Sequence, residues 1–280
     1  MPNSRVIILT TLAMIAFAAN SLFCRFALKH TGIDAASFTS IRLISGAVML
    51  WAIISIRGGS LSGQGNWLSA FALFAYAAGF SFAYINLSAG TGALLLFGSV
   101  QATMIGYGLW MGERLVKLQI MGLFLAFIGV IGLLLPGISA PPLPSAMLML
   151  AAGIAWGVYS LRGKGEGDPT LITAGNFFRA MSIAVVMSIF MMKGVSIDIA
   201  GVGFAVLSGA LASGLGYAIW YSVLPILKAS NAAIVQLSVP VIAAVAGIVF
   251  LAEPITLQFG LASLAILGGI ALFLVEKRTS

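Results

Sequence analysis

Long apolar runs separated by short polar breaks make up almost the whole of this 280-residue chain. A helix needs roughly 20 apolar residues to cross the hydrocarbon core of a bilayer, and ten runs approach that length. The breaks between them carry glycine, proline and serine, which favour turns. The pattern therefore predicts ten membrane-spanning helices, over residues 6–28, 35–56, 67–87, 91–111, 118–135, 143–161, 170–192, 199–224, 231–251 and 256–275.

The ninth run carries a glutamine and a proline near its middle, Gln236 and Pro240. Proline has no backbone N–H, so within a helix the carbonyl four residues earlier, that of Gln236, loses its usual partner. The helix is therefore expected to be weak beside a polar side chain, and we interpret Pro240 as a hinge.

Scarce residues of the first half recur in the second half at a nearly constant shift. The shift is 137 residues up to about residue 87 and 140 beyond it, which pairs Arg25 with Arg162, Arg42 with Arg179, Tyr84 with Tyr221 and Glu113 with Glu253. Five spans per half is an odd number, so the second half inserts upside down. We expect an all-α membrane protein with one transmembrane domain, built from two inverted five-helix repeats at residues 1–137 and 138–280. The first run follows Arg5 as a signal peptide would, but its partner in the second half favours a retained helix.

Basic residues between the runs predict the orientation in the membrane. The termini and every second loop place nine of them on one side: Arg5, Arg57, Arg114, Lys117, Arg162, Lys164, Lys228, Lys277 and Arg278. The other side has three, Arg25, Lys29 and Lys193. Because positively charged loops stay in the cytoplasm, both termini are expected to be cytoplasmic.

The composition agrees with a membrane protein, since 61% of the residues are hydrophobic, 8% are charged and the mean hydropathy is +1.12. Soluble domains carry roughly 25% charged residues. A net charge of +7 would suggest nucleic-acid binding in a soluble protein, but these cations lie mostly between apolar runs, where they set topology. The expected partners are the lipid bilayer and a small-molecule substrate, not nucleic acid, and the chain is expected to be a monomer or a homodimer.

The sequence lacks the residues that several kinds of chemistry require. The single cysteine, Cys24, and the single histidine, His30, provide neither an internal disulfide nor a metal-ligand cluster. The sequence contains no glycine-rich phosphate loop, so we expect no cofactor, no metal and no direct use of ATP. All seven acids lie at or beyond the ends of the runs, which disfavours a drug pump driven by a buried carboxylate. No cluster of nucleophile, base and acid supports an enzyme.

Arg42 and Arg179 are the only basic residues well inside the runs. If the seventh helix starts at Asp168, Arg179 lies roughly 16 Å further along it, near mid-membrane. An arginine that faced lipid would be costly, so both are expected to face the bundle or a watery cavity. They either bind carbonyls or a helix end and lock the bundle, or they hold a substrate carboxylate.

Four amide side chains inside the runs are candidates for substrate binding: Asn20, Gln101, Asn176 and Gln236. The alternative is structural, because amides commonly join membrane helices by hydrogen bonds. The binding interpretation is strengthened by Pro240, which frees a carbonyl beside the Gln236 amide and so places an acceptor next to donors.

The third and eighth helices carry matched stripes at a spacing of four residues, related by the 137-residue shift: Ala72, Tyr76, Phe80 and Tyr84 in one, Gly209, Ser213, Tyr217 and Tyr221 in the other. One explanation is an aromatic belt at the membrane interface. The other is a pair of gates at opposite mouths, formed by Tyr84 and Tyr221, or a surface on which an apolar or aromatic substrate stacks. Trp156 and Tyr159 on the sixth helix extend that surface.

Glu113 and Glu253 follow the fourth and ninth helices, in Gly112-Glu113-Arg114 and Ala252-Glu253-Pro254. A carboxylate near the first turn of the next helix complements the helix dipole, so we interpret both as structural.

Ten spans in two repeats, each with a glutamate after its fourth helix and an arginine in its second, resemble the EamA type of the drug/metabolite transporter superfamily over the whole chain. Residues 37–42, SFTSIR, also resemble the YddG-like exporters of aromatic and neutral amino acids. The chain departs from the family pattern where Phe17-Ala18 replaces Trp-Gly and where Ala252 replaces a glycine.

The resemblance implies a central cavity lined by helices one to four and six to nine, with helices five and ten at the periphery. It also implies a secondary transporter of the bacterial inner membrane that exports small neutral or zwitterionic metabolites, above all amino acids, by alternating access. A nucleotide-sugar or phosphate-ester carrier is the main alternative, although it needs more buried cations than Arg42 and Arg179. A polytopic membrane enzyme and a passive channel are further alternatives.

Overall fold

The computed structural model describes residues 4–59, 64–112, 114–135, 140–163, 167–227 and 235–279, without the side chains of residues 225 and 275–279. These parts of the chain are helical and contain no strand. The helices are α1 Ser4–His30, α2 Ala35–Ile56, α3 Trp67–Tyr84, α4 Ala89–Trp110, α5 Lys117–Leu134, α6 Leu143–Arg162, α7 Pro169–Phe190, α8 Ile199–Val223, α9 Ser238–Leu251 and α10 Leu257–Thr279.

Nine of these helices are long and apolar enough to span a membrane, and α9 is a shorter apolar helix of 14 residues. Nine of the predicted spans agree with the observed helices to within a few residues. The ninth differs, because Leu237 is a turn and the regular helix begins at Ser238. Residues 235–236 are helical as well, so the interruption at Leu237 lies beside Gln236, whose carbonyl is the one that Pro240 leaves without an N–H partner. The role of Pro240 as a hinge stays a prediction, and residues 231–234 lie outside the described ranges.

Polar residues fix where several helices begin. Asp34, Asn66, Ser88 and Asp168 each accept a hydrogen bond from a backbone N–H in the first turn of the helix that follows, as N-caps do. Pro169 adds a fixed φ at the first position of α7. These local signals explain why the hydropathy pattern places most boundaries well.

The strongest helix contacts join the first half of the chain to the second. α3 packs against α6 and α7, α4 against α6 and α9, α2 against α7 and α8, and α1 against α8 and α9. α5 and α10 pack mainly against each other and reach the other helices chiefly through α4. Helices five and ten are therefore peripheral, as expected.

The bundle has two ends, which we call the His30 end and the Arg162 end after the last residues of α1 and α6. At the His30 end, α1 meets the end of α3, since Arg25 donates to the carbonyl of Tyr84 over 2.9 Å. At the Arg162 end, α6 meets the beginning of α3, since Arg162 Nε donates to Ser69 Oγ over 3.1 Å. α3 therefore crosses the bundle from one end to the other.

Glycines allow α5 and α10 to lie in backbone contact. A Cβ added to Gly269 would collide with the carbonyl oxygen of Gly122 and lie 2.6 Å from the amide nitrogen of Ala126. A Cβ added to the neighbouring Gly268 would meet nothing within 4 Å. Because lipid provides no hydrophobic drive for helices to associate, such close approach is a main source of their attraction.

We expect Gly269→Ala to lower the thermal stability of the purified protein, because overpacking of this kind costs about 1–3 kcal/mol. Gly268→Ala is the matched control, since its methyl group points into open space and alanine favours the helix. Differential scanning fluorimetry in detergent compares the two melting temperatures. Equal melting temperatures would contradict the contact between α5 and α10.

Asp34 ties the segment before α8 to the start of α2. Its Oδ1 accepts from the amides of Ala36 and Ser37, and its Oδ2 accepts from the amide of Ser196, all at 2.9 Å. Partial burial alone would raise the pKa of Asp34, but the hydrogen bonds from Ser37, Ser196 and Ala36 outweigh it and hold the pKa below its usual value.

A carboxyl group whose folded-state pKa is lowered stabilises the fold above its unfolded pKa, about 3.9 for Asp. That stabilisation disappears as the pH falls through the lower pKa of the folded state. Asp34→Asn keeps an N-cap but removes the charge. We expect the wild type to melt above this variant at neutral pH, with a difference that shrinks as the pH falls below about 4. A difference independent of pH would contradict this role of the carboxylate.

Candidate functional site

A hydrogen-bonded chain of side chains joins four helices at the centre of the bundle. The Tyr76 hydroxyl on α3 accepts from Asn20 Nδ2 on α1 over 3.1 Å and from Arg42 Nη2 on α2 over 2.9 Å. Ser208 on α8 donates to Asn20 Oδ1 over 2.6 Å. All four side chains are buried, so these hydrogen bonds take the place of bonds to water.

Arg42 brings a positive charge into this centre without a carboxylate partner. Its side chain is 1% exposed, and its guanidinium carbon lies 4.8 Å and 5.1 Å from the ring centroids of Phe80 and Tyr76. Arg42 Nη1 is buried with no hydrogen-bond partner. Within the described ranges the one ion pair is Arg25 with Glu253, so Arg42 depends on a phenol and two π faces.

Aromatic rings form the walls beside this charge. The Trp156 ring centroid lies 4.8 Å from that of Tyr76, 5.1 Å from that of Tyr217 and 5.3 Å from that of Tyr159. Phe17 packs edge-on against Tyr217 at 5.7 Å. The rings come from α1, α3, α6 and α8, and they meet around one point.

A cavity of about 20 Å³ remains at that point. It is lined by Phe17, Asn20, Ser21, Tyr76, Phe80, Leu96, Phe97, Trp156 and Tyr217. This volume holds about one water molecule. The centre is therefore closed in this structure, and a metabolite would need the helices to move apart.

The structure brings part of the predicted site together. Asn20, Trp156 and Tyr217 line the cavity, Arg42 binds Tyr76 beside it, and Tyr159 stacks behind Trp156. These five residues lie on α1, α2, α6 and α8. The cavity lining comes from α1, α3, α4, α6 and α8, whereas the resemblance implied eight helices.

Asn176 and Arg179 lie elsewhere, at the Arg162 end. The Asn176 side-chain oxygen accepts from the Asn66 amide over 2.9 Å. Arg179 donates to the carbonyls of Gln64, at 2.7 Å, and Gly175, at 2.9 Å. The segment before α3 thus binds against α7, and Arg179 follows the structural alternative of pairing with carbonyls.

Tyr84 and Tyr221 lie near opposite ends of the bundle. The Tyr84 hydroxyl donates to the Ala89 carbonyl over 3.2 Å at the His30 end. The Tyr221 hydroxyl lies 3.6 Å from where a Cβ on Gly163 would stand, next to the Arg162 end. Neither lines the central cavity, and their role as gates stays a prediction.

The two glutamines are also separate from the cavity. Gln101 is buried on the side of α4 that faces α5 and α10, in a small pocket of about 80 Å³ with Gly98 and Phe273. Gln236 is half-buried and precedes α9, beyond the lining residues. Gln101 therefore lies away from the central cavity, because a polar residue in a span marks a buried face and not which neighbour that face meets.

A buried ion pair occupies the His30 end. Arg25 Nε lies 3.2 Å from Glu253 Oε1, and Glu253 Oε2 accepts from the amide of Ala89 over 2.8 Å. Glu253 therefore binds the first amide of α4. Its position in the sequence had suggested that it would complement α10, the next helix in the chain. Its counterpart Glu113 lies outside the described residues.

Ser208, Tyr76 and Phe80 also belong to the centre, and of the three only Ser208 was absent from the predicted surfaces. Tyr76 and Phe80 stood in the matched stripe, which was a usable signal. Ser208 lies in a π-helical segment, Leu207–Leu215, whose hydrogen bonds span five residues where those of an α-helix span four, which changes the side-chain register. Next to it, Gly209 packs directly against the carbonyl of Arg42, where a Cβ would collide.

Comparison with known proteins agrees with this architecture. The model of the EamA-like transporter family matches residues 4–135 and again residues 143–275. An uncharacterised protein of Pseudomonas aeruginosa is 54% identical over 278 residues, which cover 99% of this chain and 97% of that protein. The uncharacterised transporter YoaV of Bacillus subtilis is 26% identical over 248 residues, covering 83% of this chain and 85% of YoaV.

A solved crystal structure with 17% sequence identity superposes with a TM-score of 0.70, covering 99% of this chain and 100% of that chain. At this identity the likeness concerns the fold alone. The family match in each half of a multi-pass helical protein accounts for the five-helix repeats. On these grounds the chain belongs to the EamA-like transporter family, within the drug/metabolite transporter superfamily.

Proposed function

We propose that this protein is a secondary transporter that exports small neutral or zwitterionic metabolites, principally aromatic and neutral amino acids, by alternating access through the central cavity. The observation that carries the proposal is Arg42, a buried cation with an unpaired Nη1 beside a ring of aromatic side chains. A carboxylate is the natural partner of such a group.

The charge balance favours a substrate with one carboxylate. Arg25 and Arg42 are the buried cations of the described residues, and Glu253 neutralises Arg25. One uncompensated charge suits an amino acid, whereas a phosphate ester or nucleotide sugar brings at least two negative charges to be matched.

The aromatic walls suit the rest of an amino acid. Trp156, Tyr76 and Tyr217 provide apolar faces on which an apolar or aromatic side chain stacks. The same faces attract the ammonium group of a zwitterion through their quadrupoles, which compensates for the lack of a carboxylate beside the cavity.

Closure of the centre supports a carrier over an open pore. The cavity holds about one water, and contacts at both ends enclose it: Arg25 with Glu253 at the His30 end, Arg179 with Gln64 at the Arg162 end. A carrier passes through such an occluded state between its two open forms. The π-helical segment of α8 beside the cavity offers a place for helix rearrangement.

The orientation and location complete the proposal. Nine basic residues on the side of the termini against three on the other favour cytoplasmic termini and a cytoplasmic Arg162 end. Bacterial relatives favour the bacterial inner membrane. Export as the direction rests on the family resemblance. The partners are then the bilayer and the substrate, with the protein working as a monomer or homodimer.

Purified protein in liposomes loaded with labelled phenylalanine is expected to show saturable efflux. Unlabelled neutral amino acids and phenylpropionate should compete, whereas phenethylamine, which lacks the carboxylate, should compete poorly because Arg42 has no group to bind. Empty liposomes are the control. The substrate proposal would be contradicted if no amino acid showed saturable flux, or if a nucleotide sugar competed more strongly than the neutral amino acids.

Tyr76→Phe is expected to reduce phenylalanine flux about tenfold or more, because it leaves Asn20 Nδ2 and Arg42 Nη2 unpaired at a cost of about 1–3 kcal/mol. Tyr107→Phe is the matched control, as this tyrosine of α4 is 43% exposed and faces away from the cavity lining. Initial efflux rates are compared at equal reconstituted protein. Equal efflux rates in the two variants would show that the hydrogen bonds around Tyr76 do not serve transport.

A further inference from the structure

A cleft of about 520 Å³ lies at the His30 end. Its walls come from the end of α1, the α3–α4 connection with the start of α4, the end of α5, residues 140–142 before α6, and the facing parts of α9 and α10. Its lining is mixed, with polar groups at Lys29, Asn86 and Ser88 and apolar groups at Ile248 and Phe259. Arg25 and Glu253 also line it, so the buried ion pair forms part of its wall.

The ion pair connects four separate elements. Arg25 on α1 binds Glu253 and also donates from Nη1 to the carbonyls of Tyr84 and Ile85, at 2.9 Å and 2.8 Å. Glu253, between α9 and α10, accepts from the amide of Ala89, the first residue of α4. We call this set of five residues the Arg25–Glu253 latch.

The backbone directs Glu253 inward. Ala252 has φ of 51°, in the left-handed region that favours glycine, and it turns the chain at the end of α9. A Cβ on Gly247 would lie 2.5 Å from Glu253 Oε2, so the glycine leaves room for the carboxylate. A non-glycine residue held in this conformation stores strain, and strain of this kind concentrates at functional sites.

Only a thin layer separates the latch from the central cavity. On α1, Ser21 lines the cavity and Arg25 follows one turn later, roughly 6 Å along the helix. The Tyr84 ring packs edge-on against Phe80 at 4.7 Å, and Phe80 lines the cavity. Parting the latch would therefore join the cleft to the cavity after a small displacement.

We propose that the cleft is the outer vestibule of the substrate route and that the Arg25–Glu253 latch holds this end closed. The proposal rests on the alternating access described above. A buried ion pair adds little net stability but is strongly bound to one geometry, which suits a closed state that must also open. Water in the vestibule solvates the parted charges, and the substrate leaves past them.

The single cysteine of the chain is a native reporter for this event. Cys24 is 0% exposed and stands between the cavity residue Ser21 and the latch residue Arg25 on α1. A buried thiol is inert toward alkylating reagents, whereas a solvated thiol ionises and reacts. Opening the His30 end is expected to expose Cys24.

The experiment measures the rate of Cys24 alkylation by a charged maleimide in the folded, purified protein, with Cys24→Ser as background. Glu253→Gln and Arg25→Lys are each expected to react about tenfold faster than wild type or more, because a shift toward the open state raises the accessible population by the same factor. Arg25→Lys keeps the charge but loses the planar guanidinium group, which binds two carbonyls and a carboxylate at the same time.

Arg162→Gln is the matched control, since it removes the arginine at the corresponding position of the second half, at the opposite end. It is expected to react no faster than wild type. Wild-type rates in both latch variants, or an equal increase in Arg162→Gln, would overturn the proposal. Alkylation needs no substrate, so a failed flux assay with fast alkylation changes the proposed substrate and keeps the latch. Wild-type alkylation rates in the latch variants together with normal amino-acid flux would overturn the latch and keep the proposed substrate.

Discussion

The charge of Arg42, held in the membrane without a carboxylate, constrains everything around it. A guanidinium in this position must be supported by hydrogen bonds and π faces, and the bundle supplies one phenol and two rings. Tyr76 is held in turn by Asn20, and Asn20 by Ser208. The π-helical segment of α8 presents Ser208 and lets Gly209 approach the Arg42 backbone. Four helices therefore meet where they do because one side chain has to be accommodated.

The two halves of the chain use matching residues in different ways. Arg42 is enclosed by aromatic rings, while its partner in the repeat, Arg179, binds the carbonyl of Gln64 before α3 and that of Gly175 in its own helix α7. Arg25 is buried in an ion pair, while Arg162 is exposed and reaches the start of α3. Inverted repeats with identical contacts would leave both ends in the same condition. The differences show how a symmetric sequence pattern yields an asymmetric structure, with each end closed by its own set of contacts.

Hydropathy and turn residues were sufficient for nearly all of the helix boundaries, and the N-caps seen in the structure explain why. The charge-poor runs and the N-caps such as Asp34 and Asp168 depend on neighbours in sequence, so their consequences are local. The site was less predictable. Scarcity of polar residues selected Asn20 and Arg42, which meet at Tyr76, and equally Gln101, which faces α5 and α10. Ser208 was not predicted, because a π-helix shifts the face on which a residue lies. Spacing rules based on a regular α-helix do not allow for that shift.

The attachment of α5 and α10 gives the membrane itself a means of acting on the protein. This pair is joined by glycine contacts and reaches the other helices chiefly through α4. A bilayer that is too thin for the pair tilts it, and the tilt is passed first to α4. The first amide of α4 is the one that Glu253 binds. The acyl-chain length of the lipids is thus expected to change the force on the ion pair at the His30 end. This force comes from the bilayer and does not depend on any substrate.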